Sequence, residues 1–160
     1  MALSKTLNTN GIFDIVMIEL LLNGNVIELD DCSLQNCEKI IAICSSFDAF
    51  YYGADGKCVS IPNSSVFGLN PTTACVHFRG THLSSICFAW YFDSENPKYS
   101  EIRKRRKQTR KLISNILHLS PKFSFPLFDS AKWHLGHVSI VHEIFDRFGY
   151  EEDISIRFKE

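Results

Sequence analysis

Thr73-Ala-Cys-Val-His-Phe78, Arg79-Gly80-Thr81-His82 and Ser85-Ile-Cys-Phe-Ala-Trp-Tyr-Phe92 form two runs rich in β-branched and aromatic residues, with a glycine-bearing link between them. In the second run Ile86, Phe88, Trp90 and Phe92 fall on one side, and Cys87, Ala89 and Tyr91 on the other. That period of two belongs to a strand with two unlike faces.

Upstream, Lys57–Ile61 is a further short strand. Ile12 to Leu22 and Val26 to Leu29 flank Asn23-Gly24-Asn25, where Asn-Gly supplies the positive φ angles of a tight hairpin turn. The first arm is apolar on both faces, which places it centrally. Between these strands Leu34, Cys37, Ile40, Ile41, Cys44, Phe47 and Tyr51 recur at helical spacing. Asp31 or Ser33 can cap that helix, and Gly53 stands where it would stop.

Downstream, Asp93-Ser-Glu-Asn-Pro97 closes the strand block and Lys98 to Leu119 reads as a long helix. Tyr99, Ile102, Arg106, Thr109, Ile113 and Ile116 trace one face, apolar at its ends and basic in its middle. The expectation is that its C-terminal half docks while its N-terminal half projects. Phe123, Phe125 and Phe128, set around Pro121 and Pro126, suit a packed loop or an interrupted edge strand. Val138 to Phe148 reads as a helix ending at Gly149, and Asp153–Phe158 as a terminal strand. The resulting class is α+β: a single domain over residues 11–160, mainly antiparallel sheet with two to three helices packed on one face, after a flexible lead-in over 1–10.

The chain of 160 residues is 45% hydrophobic, enough for one real core. Its longest apolar stretch, Ile12–Leu22, contains Asp14 and Glu19 and is about half a bilayer crossing in length. No membrane role and a cytoplasmic location are expected, or a nuclear one if the basic run is an import signal. None of the six cysteines forms a C-x-x-C pair, so reduced thiols without a cofactor are expected.

Charge is the most specific signal. Seven of the nine residues from 103 to 111 are cationic: Arg103, Lys104, Arg105, Arg106, Lys107, Arg110 and Lys111. Those seven removed from seventeen leave ten cations against eighteen carboxylates, so the rest of the chain carries −8 against a total of −1. On a helix Arg103, Arg106 and Arg110 share one side, a ridge able to follow phosphates or to meet an acidic protein. The same crowding repels at i,i+4 and weakens the helix.

Other constellations are weaker. His134, His137 and His142 could suggest metal, but on one helix their spacing scatters them around the axis. Cys75 and His77 share a strand face with His82 beyond the turn, a conceivable thiolate–imidazole or two-histidine hydrolase, although same-face neighbours stand about 7 Å apart. Glycine-rich phosphate loops and nucleophile elbows are absent from the sequence.

Three functions follow from the residues. The leading expectation is a non-catalytic module of the immunity type, whose acidic body neutralises a toxin-like protein partner. The second is nucleic-acid binding through the basic helix, with Trp133 or Phe125 stacking on bases. The third is a Cys75/His77/His82 hydrolase or nuclease.

Overall fold

Asn23-Gly24 turns the chain as its composition dictates, with φ of 50° and 74° at the two central residues of a two-residue hairpin. The structure is a computed structural model that describes residues 5–7, 14–16, 18–29, 34–92, 97–124, 130–146 and 150–159. In chain order the strands and helices are β1 (Lys5–Leu7), β2 (Asp14–Val16), β3 (Ile18–Leu22), β4 (Asn25–Leu29), α1 (Leu34–Cys44), β5 (Ala49–Tyr52), β6 (Gly56–Ser60), β7 (Ser65–Val66), β8 (Thr73–Arg79), β9 (His82–Tyr91), α2 (Tyr99–Leu117), β10 (Lys122–Phe123), β11 (Ser130–Leu135), β12 (Val138–Asp146) and β13 (Tyr150–Phe158).

Eight strands form one sheet in the order β5-β6-β8-β9-β13-β12-β11-β10, antiparallel throughout. The connectivity is duplicated. Each half is a helix followed by four strands of this sheet, and the last strands of the halves, β9 and β13, pair at the centre. The β3–β4 hairpin adds β7 to make a second, three-stranded sheet. The fold is therefore α+β, mostly antiparallel sheet, with two helices among the described residues.

The alternation in β9 decides which face is buried. Ile86 and Phe88 are fully buried, and their partners on β13, Ile156 and Ile154, lie on the same face. Ile40 of α1 and Ile113 and Leu117 of α2 join the same core, as do Leu20 and Ile27 of the small sheet. Each such side chain withdrawn from water contributes about 1.5–3 kcal/mol. The opposite face carries Cys58, Cys75, His77, Ser85, Cys87 and Glu143, all half-buried, beside buried Ala89, Ser139, Val141 and Ser155, a mixed composition.

Three expectations change. Val138–Asp146 is strand β12, not a helix. Its apolar residues fit either period, and Gly136 settles the matter: with φ of 65° it opens a two-residue Gly136-His137 turn that folds β12 back onto β11. The first helix ends at Cys44, and Ala49-Phe-Tyr-Tyr52 is edge strand β5, as suits an aromatic run. Gly53 accordingly serves the β5–β6 hairpin with φ of 63°. Finally, α2 docks along its length, since Ile102 in its first turn is as buried as the core. Lys5–Leu7, within the expected lead-in, is a strand paired with Asp14–Val16. Phe125 and Phe128 lie outside the described residues.

Candidate functional site

Helix α2 begins after Pro97, with the Glu101 carboxylate accepting the Lys98 backbone N–H at 3.1 Å. It ends at His118 in the left-handed conformation, φ 52°. Ile102, Thr109, Arg110, Ile113 and Leu117 are its buried side. Ser114 Oγ accepts the indole N–H of fully buried Trp133 at 3.1 Å, tying the helix to β11.

The basic run divides into two populations. Arg105 and Arg110 are tied to the body, Arg110 buried and Arg105 with its side chain still 43% exposed. Arg105 Nε donates to Glu152 Oε1 at 2.9 Å, and Arg110 Nε donates to His142 Nδ1 at 3.1 Å while its guanidinium lies 5.5 Å from the Phe123 ring centre. Because His142 Nδ1 accepts, its Nε2 carries the proton and donates to Glu152 Oε2 at 2.9 Å. Thr109 Oγ1 donates to the same oxygen at 2.9 Å. Arg106 is half-buried, and among the described residues its Nε finds no hydrogen-bond partner.

Both ends of this network are electrostatically tuned. Burial lowers the His142 pKa, the hydrogen bond and charge of Glu152 oppose that, and Arg110 and Arg106 reinforce it. Burial raises the Glu152 carboxyl, but His142 and Arg105 outweigh it and hold the group below its ordinary value. The buried carboxylate is thus ionised, fully hydrogen-bonded and neutralised.

Arg103, Lys104, Lys107 and Lys111 turn outward, all exposed. At 100° per residue they occupy an arc of about 100° on the solvent side of α2. Among the described residues none of the four has a carboxylate partner; Arg103 lies 5.9 Å from the Tyr99 ring centre. The expected ridge of Arg103, Arg106 and Arg110 is therefore displaced: Arg103 stays on it, Lys104, Lys107 and Lys111 join it, and Arg106 and Arg110 face the body.

Beside Arg105 a cavity of about 310 Å³ opens, lined by Thr72, Trp90, Tyr91, Phe92, Arg105 and Glu152. Trp90 Nε1 donates to the Asn70 carbonyl at 2.7 Å, which fixes the ring. The cross-strand pair Trp90–Glu152 sets this aromatic wall next to the ionic network.

The remaining candidates are dispersed. His134 is exposed on β11, His137 is exposed in the following turn, and His142 is fully buried on the opposite sheet face from His134. Among the described residues no cluster of three metal-ligating side chains forms. Cys75 and His77 share the sheet face opposite the core, both half-buried, yet their partners differ. The sulfur of Cys75 meets Ser60 Oγ at 3.6 Å and the Cys58 thiol, while His77 Nδ1 faces Tyr52 OH at 3.1 Å. His82 lies at the hairpin end, opposite Arg79. Trp133, expected to stack on bases, is wholly buried.

Sequence reasoning missed the His142–Glu152 pair and the Trp90 cavity. One signal was present: Glu152 shares the parity of Ile154, Ile156 and Phe158, a carboxylate in a core-facing register. No protein-family model, curated protein or solved structure matches the chain. Among the described residues no helix is long and apolar enough to cross a membrane.

Proposed function

We propose that the chain is a non-catalytic binding protein that takes a polyanion, nucleic acid in the first instance, on the outward face of α2. The observation that carries this reading is the arc of Arg103, Lys104, Lys107 and Lys111, exposed and without carboxylate partners among the described residues. Arg103, Lys107 and Lys111 stand at successive i,i+4 positions, where like charges destabilise a helix by about 0.2–0.5 kcal/mol per pair. The fold gains nothing from that stripe, whereas an anionic partner does. The interleaved Arg105, Thr109 and Arg110 anchor the helix, so the cations are presented on a rigid rod.

The test replaces Arg103, Lys104, Lys107 and Lys111 together by serine and measures binding of a labelled oligonucleotide at low salt. Wild-type binding and its loss in the variant are expected. Absence of wild-type binding, or equal binding by the variant, would sink the reading.

One observation favours a second reading, a neutraliser of a cationic protein such as a toxin. Glu143 faces Asp153 across the β12–β13 ladder, with Glu151 on the same sheet face, all three half-buried. Arg157 reaches Glu143 only at 3.8 Å. If that face is the interface, Glu143→Lys abolishes a salt-sensitive complex with a basic partner protein and leaves oligonucleotide binding unchanged. The Cys75/His77/His82 hydrolase has no comparable observation behind it.

A further inference from the structure

We infer that the polyanion is a single strand of nucleic acid, and that one of its bases enters the cavity walled by Trp90 and Phe92. This rests on the polyanion reading above and deepens it. The cavity, about 310 Å³, is at the small end of ligand pockets, suited to one planar ring system rather than to a folded peptide segment.

Its chemistry is that of a stacking site. The indole N–H of Trp90 is already spent on the Asn70 carbonyl at 2.7 Å, so what the ring offers is π surface in a fixed orientation. Arg105 lines the cavity with its Nε held by Glu152 at 2.9 Å and its side chain partly exposed, a tethered cation beside the aromatic wall. Glu152 already accepts hydrogen bonds from Arg105, Thr109 and His142, so it presents no unanswered charge to an incoming base.

Arg105 stands between the two halves of the site. It lines the cavity one residue after Lys104 of the outward arc, about 100° further round the helix, so a strand with phosphates on the arc has to cross that edge of α2 to place a base in the cavity. A duplex keeps its bases stacked and paired, and inserting one costs a few kcal/mol. A single strand escapes most of that cost.

The experiment uses the protein's own fluorescence. The chain has two tryptophans; Trp133 is fully buried, and Trp90 is the one lining the cavity. A short thymidine oligonucleotide, an abasic strand of equal phosphate count and a duplex of equal length are titrated against the intact chain. The thymidine strand is expected to bind roughly tenfold more tightly than the abasic strand, on the scale of stacking one base, and to quench tryptophan emission. Trp90→Phe is expected to lose the quench and to narrow the preference for the thymidine strand over the abasic one, and a uridine oligoribonucleotide run in parallel separates RNA from DNA as the source. Equal binding of thymidine, abasic and duplex ligands without a quench overturns the cavity and leaves the polyanion reading standing. A quench that survives Trp90→Phe also overturns it, and no binding by any ligand overturns both.

Discussion

Thr109 Oγ1 lies 2.9 Å from Glu152 Oε2, a hydrogen bond between residues 43 positions apart that closes a buried network between α2 and β13. The same oxygen accepts from His142 Nε2 at 2.9 Å, and the other carboxylate oxygen accepts from Arg105. The Glu152 side chain has 0% exposure, so each of these partners offsets a large desolvation cost. The basic helix is therefore attached by polar bonds as well as by Ile102, Ile113 and Leu117.

Removing one member should cost stability in proportion to the charge left exposed to the core. Thr109→Val is expected to lower unfolding stability by about 1–3 kcal/mol, since a buried acceptor loses one donor. Glu152→Ala leaves the His142 proton and the Arg105 fork without their acceptor and should cost about 3–5 kcal/mol. Urea denaturation followed by far-UV circular dichroism measures both. Losses within the noise of that method would mean the network does not hold the helix.

Acid should weaken the fold in two steps. Burial holds His142 below its ordinary 6.5, so the unfolded chain takes up a proton there before the folded chain does. Stability is full above 6.5 and falls as pH drops towards the lower folded value. Glu152 is held below its ordinary 4.5, so its contribution is full above that value and is lost as pH falls through the folded one. The urea midpoint should decline first below pH 6.5 and again below 4.5, and His142→Gln should remove the upper step and shrink the lower one, because it takes away a partner that holds Glu152 down. A midpoint that is level across both windows contradicts the assignment.

The outward arc predicts opposite effects on stability and binding. Lys107→Gln removes repulsion from both Arg103 and Lys111 and should raise stability by roughly 0.5 kcal/mol while weakening oligonucleotide binding. Wild-type affinity for a single strand should fall with a log–log salt slope of about −3, the value for four phosphate contacts. Thermal melts and anisotropy titrations at several salt concentrations read these quantities. A slope near the value for seven contacts would mean that Arg105, Arg106 and Arg110 leave the body to bind.

The thiols should be slow nucleophiles. Burial, then the charge of Asp153, pushes Cys87 up to about 12, and burial pushes Cys44 up to about 11. Maleimide labelling in mildly alkaline buffer, read by mass spectrometry, should leave both unmodified until urea is added. Rapid labelling of Cys87 in the native protein would show that this largely buried sheet face opens.

Local chemistry made much of this fold legible. Asn23-Gly24 and Arg79-Gly80-Thr81-His82 specify hairpins through backbone preference, and the alternation of Ser85–Phe92 needs no distant partner to be read. The long helix between Pro97 and Leu119 was equally visible, because its period and its boundary residues lie within the segment. Val138–Asp146 was not, since Val138, Ile140, Val141, Ile144 and Phe145 satisfy both periods over so short a run.

The sequence by itself determined the antiparallel character of the sheet, the position of the basic helix and the density of its charge, all consequences of residues close together in the chain. Tertiary structure alone decided which cations face solvent. Arg110 is buried because His142, 32 residues away, holds it, and Arg105, still exposed, is tied down by Glu152, 47 residues away. Trp90 becomes a cavity wall, and Trp133 a core residue, for the same reason. Burial and pairing across strands belong to the folded arrangement, and no local pattern of residue types encodes them.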